Sequence, residues 1–248
     1  MINTVVVELI IHQQLVRVET GPKIIQQFSK VPVQMPIGNP GHRSLENGGF
    51  QLNRGASHLI NTPNNWAGRI WGRTKCNNRG HCETGDCGNK IQCNGAGGVP
   101  PVTLAEMTFS GAGGKDFYDI SLVDGYNLPM RMVPTGGFRS SGGGRYDCKP
   151  AGCNSDLNAR CPSELAVKSG SATVACKSAC LRFNTDQYCC RGRFNTAQTC
   201  KSRNWPRNYP AIFKSACPDA YSYAYDDQTS TFTCRPNPAT NYDIIFCP

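Results

Sequence analysis

All fifteen cysteines of this 248-residue chain fall between Cys76 and Cys247, and none precedes that range. Cysteines reach this density in proteins of oxidising compartments, where they pair into disulfides, whereas cytosolic proteins are kept reduced. We therefore expect an exported protein whose last 173 residues are constrained by a disulfide framework. Because the count is odd, at least one cysteine is left over when the others are paired within the chain.

Residues 1–36 differ in composition from the rest of the chain. Glu8 interrupts the apolar stretches Val5–Val7 and Leu9–Ile11, and no basic segment precedes them, so they make a poor signal peptide. The segment also has no cysteine and fewer turn residues than the later chain. We interpret residues 1–36 as an atypical segment: an altered start, a mis-joined exon or a genuine short extension.

From about residue 39 onward the pattern is typical of many short strands. Gly (26) and Pro (17) are frequent and only 17% of residues are charged, which favours tight turns over long helices. Strands are predicted at Thr103–Phe109, at Phe117–Val123 before an Asp124-Gly125 hairpin turn, and at Ala220–Tyr225. Two short helices are predicted, at Ala175–Phe183 and Tyr209–Ala216. The predicted fold class is all-β.

The net charge of +9 is distributed unevenly. Residues 148–217 contain eleven Lys and Arg against three Asp and Glu, whereas residues 104–127 carry Glu106, Asp116, Asp119 and Asp124 against Lys115. A basic surface provides solubility or attracts anionic partners. No nucleic-acid-binding module is recognisable, so we expect no nucleic-acid function. No apolar run approaches the roughly 18 residues of a membrane span, so no transmembrane segment is expected.

Several kinds of reactive site are not supported by the sequence. The Cys176-x3-Cys180 spacing is compatible with zinc, but an oxidised framework explains it and the chain has only four histidines. No motif of a catalytic triad occurs. The glycine-rich stretch Ser140–Gly144 is typical of a flexible connector and does not have the pattern of a phosphate-binding loop. We expect neither a metal nor another cofactor.

The chain resembles the thaumatin-like proteins, the thaumatin and osmotin type of pathogenesis-related protein. The resemblance covers roughly residues 37–248 and depends on both cysteine spacing and sequence. It is carried by the stretches Gly68–Cys76, Thr84–Gly88, Pro100–Glu106, Asp116–Met130, Tyr188–Cys190, Cys217–Cys234 and Phe246–Pro248.

The resemblance implies a flattened β-sandwich core, a disulfide-rich lobe of loops and short helices, and a small stapled hairpin lobe. The core would comprise residues 37–73, 102–154 and 218–248, the small hairpin lobe residues 74–101, and the disulfide-rich lobe residues 155–217. Together they form one thaumatin-like domain, 37–248, which follows the atypical segment 1–36. Because only six positions separate Cys76 from Cys82, the small lobe should be shorter than is usual in the family.

The resemblance also implies a disulfide pairing, which spacing alone does not select. The implied bridges are Cys76–Cys82, Cys87–Cys93, Cys148–Cys234, Cys153–Cys217, Cys161–Cys176, Cys180–Cys189 and Cys190–Cys200. In the family, a cysteine in the first strand pairs with the last cysteine, but Val31–Pro36 contains none. We therefore expect Cys247 to stay outside the seven bridges as an unpaired residue, and the first core strand to be missing or replaced.

The family carries an acidic cleft between its core and its disulfide-rich lobe. Matched motif by motif, the cleft residues are Arg69, Glu106, Asp119, Asp124 and one of the adjacent pair Asp226 and Asp227, with Asp226 favoured. Crowded carboxylates raise one another's pKa, and an arginine keeps a neighbouring carboxylate ionised. Three of these residues, Glu106, Asp119 and Asp124, are catalytic candidates. Tyr118, Tyr126 and Tyr225 are either sugar-stacking residues or core residues.

The resemblance implies a secreted, monomeric defence protein of the apoplast or vacuole that acts on fungal cell walls or membranes. The leading hypothesis is antifungal binding of β-1,3-glucan through the acidic cleft. The first alternative is a weak endo-β-1,3-glucanase that uses Glu106 as general acid and an aspartate as base or nucleophile. The second is a non-catalytic interaction protein, sweet-tasting or enzyme-inhibiting, in which the cleft is incidental.

Overall fold

Short strands make up most of the regular structure. The structure, a computed structural model, describes residues 17–20, 33–35, 37–38, 45–53, 55–136, 143–235 and 240–248. Within these ranges there are sixteen strands and two short α-helices, so the predicted all-β fold class is confirmed. No helix in the same ranges is both long enough and apolar enough to span a bilayer.

The elements are numbered in chain order. The strands are β1 (Arg17–Thr20), β2 (Val33–Met35), β3 (Ile37–Gly38), β4 (Phe50–Leu52), β5 (Ile60–Thr62), β6 (Ala67–Trp71), β7 (Thr74–Cys76), β8 (Cys82–Thr84), β9 (Leu104–Thr108), β10 (Asp116–Ser121), β11 (Met130–Gly136), β12 (Ala151–Cys153), β13 (Ala166–Ser169), β14 (Ala172–Cys176), β15 (Phe232–Cys234) and β16 (Thr240–Phe246). The helices are α1 (Ala179–Phe183) and α2 (Tyr209–Ala216). Short 3₁₀ turns cover Leu45–Gly48, Ala112–Gly114, Asn158–Arg160, Gly192–Phe194, Ser202–Asn204 and Asp227–Thr229.

Two five-stranded sheets form the core. One has the strand order β12-β11-β16-β1-β5 and the other the order β15-β10-β9-β6-β3. Aromatic side chains join the sheets: the ring of Tyr242 lies 5.5 Å from that of Phe109 and 5.1 Å from that of Tyr118. All three rings are buried, as is typical of the interior of a β-sandwich.

Residues 155–217, for which a disulfide-rich lobe was predicted, contain the β13–β14 hairpin and both helices. Side chains cap the two helices, since Ser178 accepts a hydrogen bond from Leu181 N and Asn208 accepts one from Ala211 N. The predicted start of the first helix is wrong, because residues 175–176 belong to β14 and Ser178 sets the helix boundary. The second helix occupies the predicted residues.

Seven disulfides cross-link the described chain. They join Cys76–Cys82, Cys87–Cys93, Cys148–Cys234, Cys153–Cys217, Cys161–Cys176, Cys180–Cys189 and Cys190–Cys200, the same pairs that the resemblance implies. Two of them close loops of 86 and 64 residues, and the entropy lost by the unfolded chain grows with loop length. The long-range bridges therefore restrain the unfolded state most strongly.

The front of the chain contributes a strand to the first sheet. Strand β1 lies between β16, with which it is antiparallel, and β5, with which it is parallel. The core strand that we expected to be missing or replaced at the front thus has a counterpart within the atypical segment. Residues 1–16, which include the interrupted apolar stretches, lie outside the described part of the chain.

The predicted hairpin at Asp124-Gly125 is wrong. Strand β10 before the turn belongs to the second sheet, whereas β11 after it pairs with β12 and β16 in the first. The chain therefore crosses between sheets at this point. Gly125 has φ of +86°, and an added Cβ would lie 2.7 Å from Cys176 O, so only glycine fits here. The predicted strand at Ala220–Tyr225 is also wrong, because within that stretch Tyr221 alone forms a β-bridge, to Ser121.

Candidate functional site

Arg69, Glu106 and Asp119 lie in a row across the second sheet. Arg69 on β6 is directly opposite Glu106 on β9, and Glu106 is directly opposite Asp119 on β10. Directly paired residues of antiparallel strands project from the same face, with Cβ atoms roughly 4.5–5.5 Å apart. The sheet register therefore brings together three side chains from separate parts of the sequence.

An ion pair joins the first two members of the row. Arg69 Nε lies 2.9 Å from Glu106 Oε1, and the two side chains are 51% and 31% exposed. A pair this exposed adds at most about 1 kcal/mol to stability. The ion pair mainly orients the two side chains. The guanidinium of Arg69 stays exposed to solvent and can donate hydrogen bonds to a ligand.

Asp119 is the most deeply buried carboxyl group of the row. Burial raises its pKa well above the usual value, and the nearby charges of Glu106 and Asp227 raise it further. Its Oδ1 atom is buried and has no hydrogen-bond partner within the described residues. A carboxyl group in these surroundings is stabilised as the neutral acid.

The pKa of Glu106 is also raised, first by burial and then by Asp124. Arg69 and a hydrogen bond from the Ser121 hydroxyl act in the opposite direction. The ionised form is therefore more strongly favoured at Glu106 than at Asp119. Glu106 has a cation and a hydroxyl donor that favour its carboxylate, whereas Asp119 has neither at comparable range.

A concavity opens above this row. A space of about 460 Å³ is bordered by Arg69, Glu106, Asp119, Asp124 and Tyr221. It adjoins a second space of about 210 Å³, which shares Arg69, Glu106 and Asp119 and extends toward Phe117. The two spaces together form the acidic cleft.

The adjacent aspartates have different surroundings. Asp226 accepts hydrogen bonds from the backbone and the hydroxyl of Ser222, and its Oδ2 lies 3.0 Å from Lys214 Nζ. Asp226 is thus held within the protein, although it was the favoured cleft residue. Asp227 accepts a hydrogen bond of 2.9 Å from the Tyr221 hydroxyl and acts electrostatically on Asp119. Neither aspartate borders the two spaces of the cleft, and Asp227 is the one whose charge acts on Asp119.

Two residues at the cleft were not identified from the sequence. Ser121 and Tyr221 come together through a bridge between β10 and the loop after α2, in which Leu122 N donates to Tyr221 O and Tyr221 N donates to Ile120 O. Strand alternation alone places Ser121 on the face of Asp119 and could have identified it. Tyr221 had no such signal, because its position depends on a long-range contact.

The tyrosines suggested for sugar stacking lie elsewhere. Tyr118 and Tyr126 are fully buried, and their hydroxyls donate to backbone carbonyls of Lys149 and Ser155. The Tyr225 hydroxyl donates to Asn195 O. The core interpretation of Tyr118 and Tyr126 is therefore correct.

The cleft offers carboxyl groups and one guanidinium to a ligand. Within the described ranges, no group of three or more His, Cys, Asp or Glu side chains has a geometry that could hold a metal ion. The groups present can form hydrogen bonds with hydroxyl-rich molecules, and the two facing carboxyls can exchange a proton.

A family profile and relatives of similar sequence place the chain in one family. A profile of the Thaumatin family matches residues 30–248. The chain is 59% identical to pathogenesis-related protein 5 of Arabidopsis thaliana over 208 residues, covering 82% of this chain and 80% of that protein. It is 50% identical to a glucan endo-1,3-beta-glucosidase of Prunus avium over 210 residues, covering 82% and 80%. The solved thaumatin-like xylanase inhibitor TLXI is 27% identical with a TM-score of 0.37, covering 61% of this chain and 88% of that one.

Proposed function

The chain belongs to the thaumatin family, as a thaumatin-like protein of the pathogenesis-related type, and we propose that it is a secreted antifungal protein that binds β-1,3-glucan through the acidic cleft. The observation that carries this proposal is the row of Arg69, Glu106 and Asp119 beneath a continuous concavity. Seven disulfides support secretion, because such bridges persist in oxidising compartments.

The chemistry of the cleft suits a neutral, hydroxyl-rich polymer. Ionised Glu106 accepts hydrogen bonds from sugar hydroxyls, whereas Arg69 donates to hydroxyl or ring oxygens. A neutral Asp119 carboxyl both donates and accepts, as a hydroxyl does. Because the cleft itself is acidic, a strongly anionic polymer is repelled from it despite the net charge of +9 on the whole chain.

A second candidate function is weak hydrolysis of the same glucan. Glu106 and Asp119 are directly opposite each other on neighbouring strands, which supplies the pair of carboxyl groups that glycoside hydrolysis requires. The relative named glucan endo-1,3-beta-glucosidase, at 50% identity, also favours this candidate. The deeper burial of Asp119 supports Asp119, rather than Glu106, as the protonated general acid.

The two candidates are separated by measuring binding and hydrolysis on the same variants. Insoluble β-1,3-glucan pull-down reports binding, and reducing-sugar release from laminarin reports hydrolysis. Glu106→Gln removes the carboxylate that pairs with Arg69, so we expect glucan retention to fall severalfold. Asp186→Asn is the control, since Asp186 is an exposed carboxylate outside the cleft with its own cation, Arg191, at 3.6 Å.

Each outcome selects one interpretation. Weaker binding without sugar release supports the glucan-binding function, and sugar release that is lost in both Glu106→Gln and Asp119→Asn supports the hydrolase. If Glu106→Gln retains glucan as well as Asp186→Asn does, the cleft is not the glucan site. The interaction-protein alternative then becomes the leading hypothesis.

A further inference from the structure

A second groove, of about 800 Å³, shares no lining residue with the acidic cleft. The runs 74–76 of β7 and 172–174 of β14 border it. Side chains alternate between the two faces of a strand, so three consecutive residues border one space only when the edge of the strand faces it. The groove therefore lies between the edges of two hairpins. We call it the amide groove, because Gln51, Asn77, Asn78, Asn127 and Asn158 also line it.

Neutral polar side chains dominate the lining of the amide groove. Lys75 is its one charged lining residue among those described, and Lys75 Nζ lies 3.3 Å from Glu83 Oε2. Seven lining side chains carry an amide or a hydroxyl: Gln51, Thr74, Asn77, Asn78, Asn127, Asn158 and Thr173. With its single charge paired, the groove has little electrostatic preference for ions. It is chemically distinct from the acidic cleft.

The deeper amides are held in place before any ligand binds. Asn127 is buried, and its Nδ2 donates to Gly72 O at 2.8 Å and to Thr84 Oγ1 at 2.9 Å. Asn158 Nδ2 donates to Asn127 O at 3.0 Å and to Val174 O at 3.2 Å. A site whose side chains are already ordered loses less conformational entropy on binding.

The outer part of the groove combines exposed amides with apolar surface. Gln51, Asn77 and Asn78 are exposed, and Ile91 is 43% exposed at the same groove. An amide donates and accepts hydrogen bonds at adjacent atoms, which matches the paired hydroxyls of a sugar ring. The C–H face of the same ring is apolar and can cover an aliphatic side chain.

We propose that the amide groove is a binding site for a neutral oligosaccharide. Amides at the groove bind the sugar hydroxyls, and Ile91 contacts the C–H face of a ring. This site is independent of the acidic cleft. If both sites engage one polymer, the second contact becomes intramolecular and retention on an insoluble wall polysaccharide rises without any new chemistry.

The test uses the full chain with its disulfides intact and with the cleft disabled by Glu106→Gln and Asp119→Asn. The probes are laminarihexaose, chitohexaose and xylohexaose, which differ in linkage and substituents but are all neutral. Backbone NMR shifts locate the site and calorimetry measures its affinity. We expect at least one probe to bind, with shifts concentrated around residues 74–78, 91 and 172–174.

Two groove variants and a matched control complete the design. In the cleft-disabled chain, Asn78→Ala should weaken binding roughly 2- to 12-fold, which corresponds to one hydrogen bond. Ile91→Ser should also weaken it, whereas Leu59→Ser should not, since Leu59 is equally exposed (45%) but lies outside the groove. The proposal is overturned if no probe binds the cleft-disabled chain, or if Leu59→Ser weakens binding as much as Ile91→Ser. Shift changes that occur only at the cleft of the wild-type chain would also overturn the proposal, while supporting the proposed function.

Discussion

Replacing Asp119 by asparagine should stabilise the protein at neutral pH and leave its stability unchanged at acidic pH. Burial and the charge of Glu106 raise the pKa of Asp119 in the folded state above its value of about 3.9 in an unfolded chain. The folded state therefore binds the proton more tightly than the unfolded state. This contribution to stability is complete below about pH 4 and is lost as the pH rises through the folded pKa. Asparagine has the same shape but no charge, so it avoids that loss.

The expected magnitude follows from the cross-strand geometry. Two unit charges about 5 Å apart repel by about 3 kcal/mol at an effective dielectric constant of about 20. Arg69, at 2.9 Å from Glu106, offsets part of this repulsion, and the 31% exposure of Glu106 screens more. We therefore expect Asp119→Asn to raise the free energy of unfolding by about 1–2 kcal/mol at pH 7. For a chain of this size, that corresponds to roughly 2–8 °C in Tm.

The assay is guanidinium chloride denaturation followed by tryptophan fluorescence at pH 3 and pH 7, with the disulfides intact. Asp186→Asn serves as the control, because Asp186 is 63% exposed and only 3.6 Å from a cation, Arg191. We expect the control to stay within about 0.5 kcal/mol of the wild type at both pH values. An Asp119→Asn protein that gains nothing at pH 7, or gains as much at pH 3, would refute the reasoning.

Three further predictions test other parts of the structure. Arg73 is fully buried and donates to two backbone carbonyls of the small hairpin lobe, so Arg73→Met should cost about 2–6 kcal/mol and speed hydrogen exchange across residues 82–93. Asp226→Asn should destabilise the fold by about 1–3 kcal/mol in thermal unfolding, because it leaves Lys214 without its carboxylate, whereas Asp227→Asn should instead weaken glucan pull-down. Gly125→Ala should lower the free energy of unfolding by about 1–3 kcal/mol, and an unchanged denaturation midpoint would contradict the close backbone contact.

The acidic cleft was predicted from the family resemblance, and the alternation of side chains along the strands agrees with it. Side chains alternate along a strand, so the stretch 103–109 predicts Glu106 on one face and 117–123 predicts Asp119 and Ser121 on one face. Resemblance then related those strands to Arg69. The structure adds that Arg69, Glu106 and Asp119 are direct cross-strand partners, which is a matter of register between strands.

Local pattern failed where the outcome depended on distant parts of the chain. Asp124-Gly125 has the composition of a hairpin turn, yet the strands on either side belong to different sheets. Asp226 and Asp227 are equivalent in sequence, but Lys214 of α2 holds the first and the Tyr221 hydroxyl contacts the second. The amide groove had no signal at all, because residues from 51 to 174 converge on it.

The sequence by itself determined the disulfide-rich, all-β class and the position of acidic side chains along individual strands. Cysteines can be counted in the sequence, and the two-residue period of a strand relates residues that are close in the chain. Both can therefore be recognised without knowledge of the fold. Only the tertiary structure decided which carboxyl is buried, which aspartate pairs with Lys214 and where a second groove opens. Burial and electrostatic coupling depend on distances in space, and those are set by packing between segments far apart in the chain.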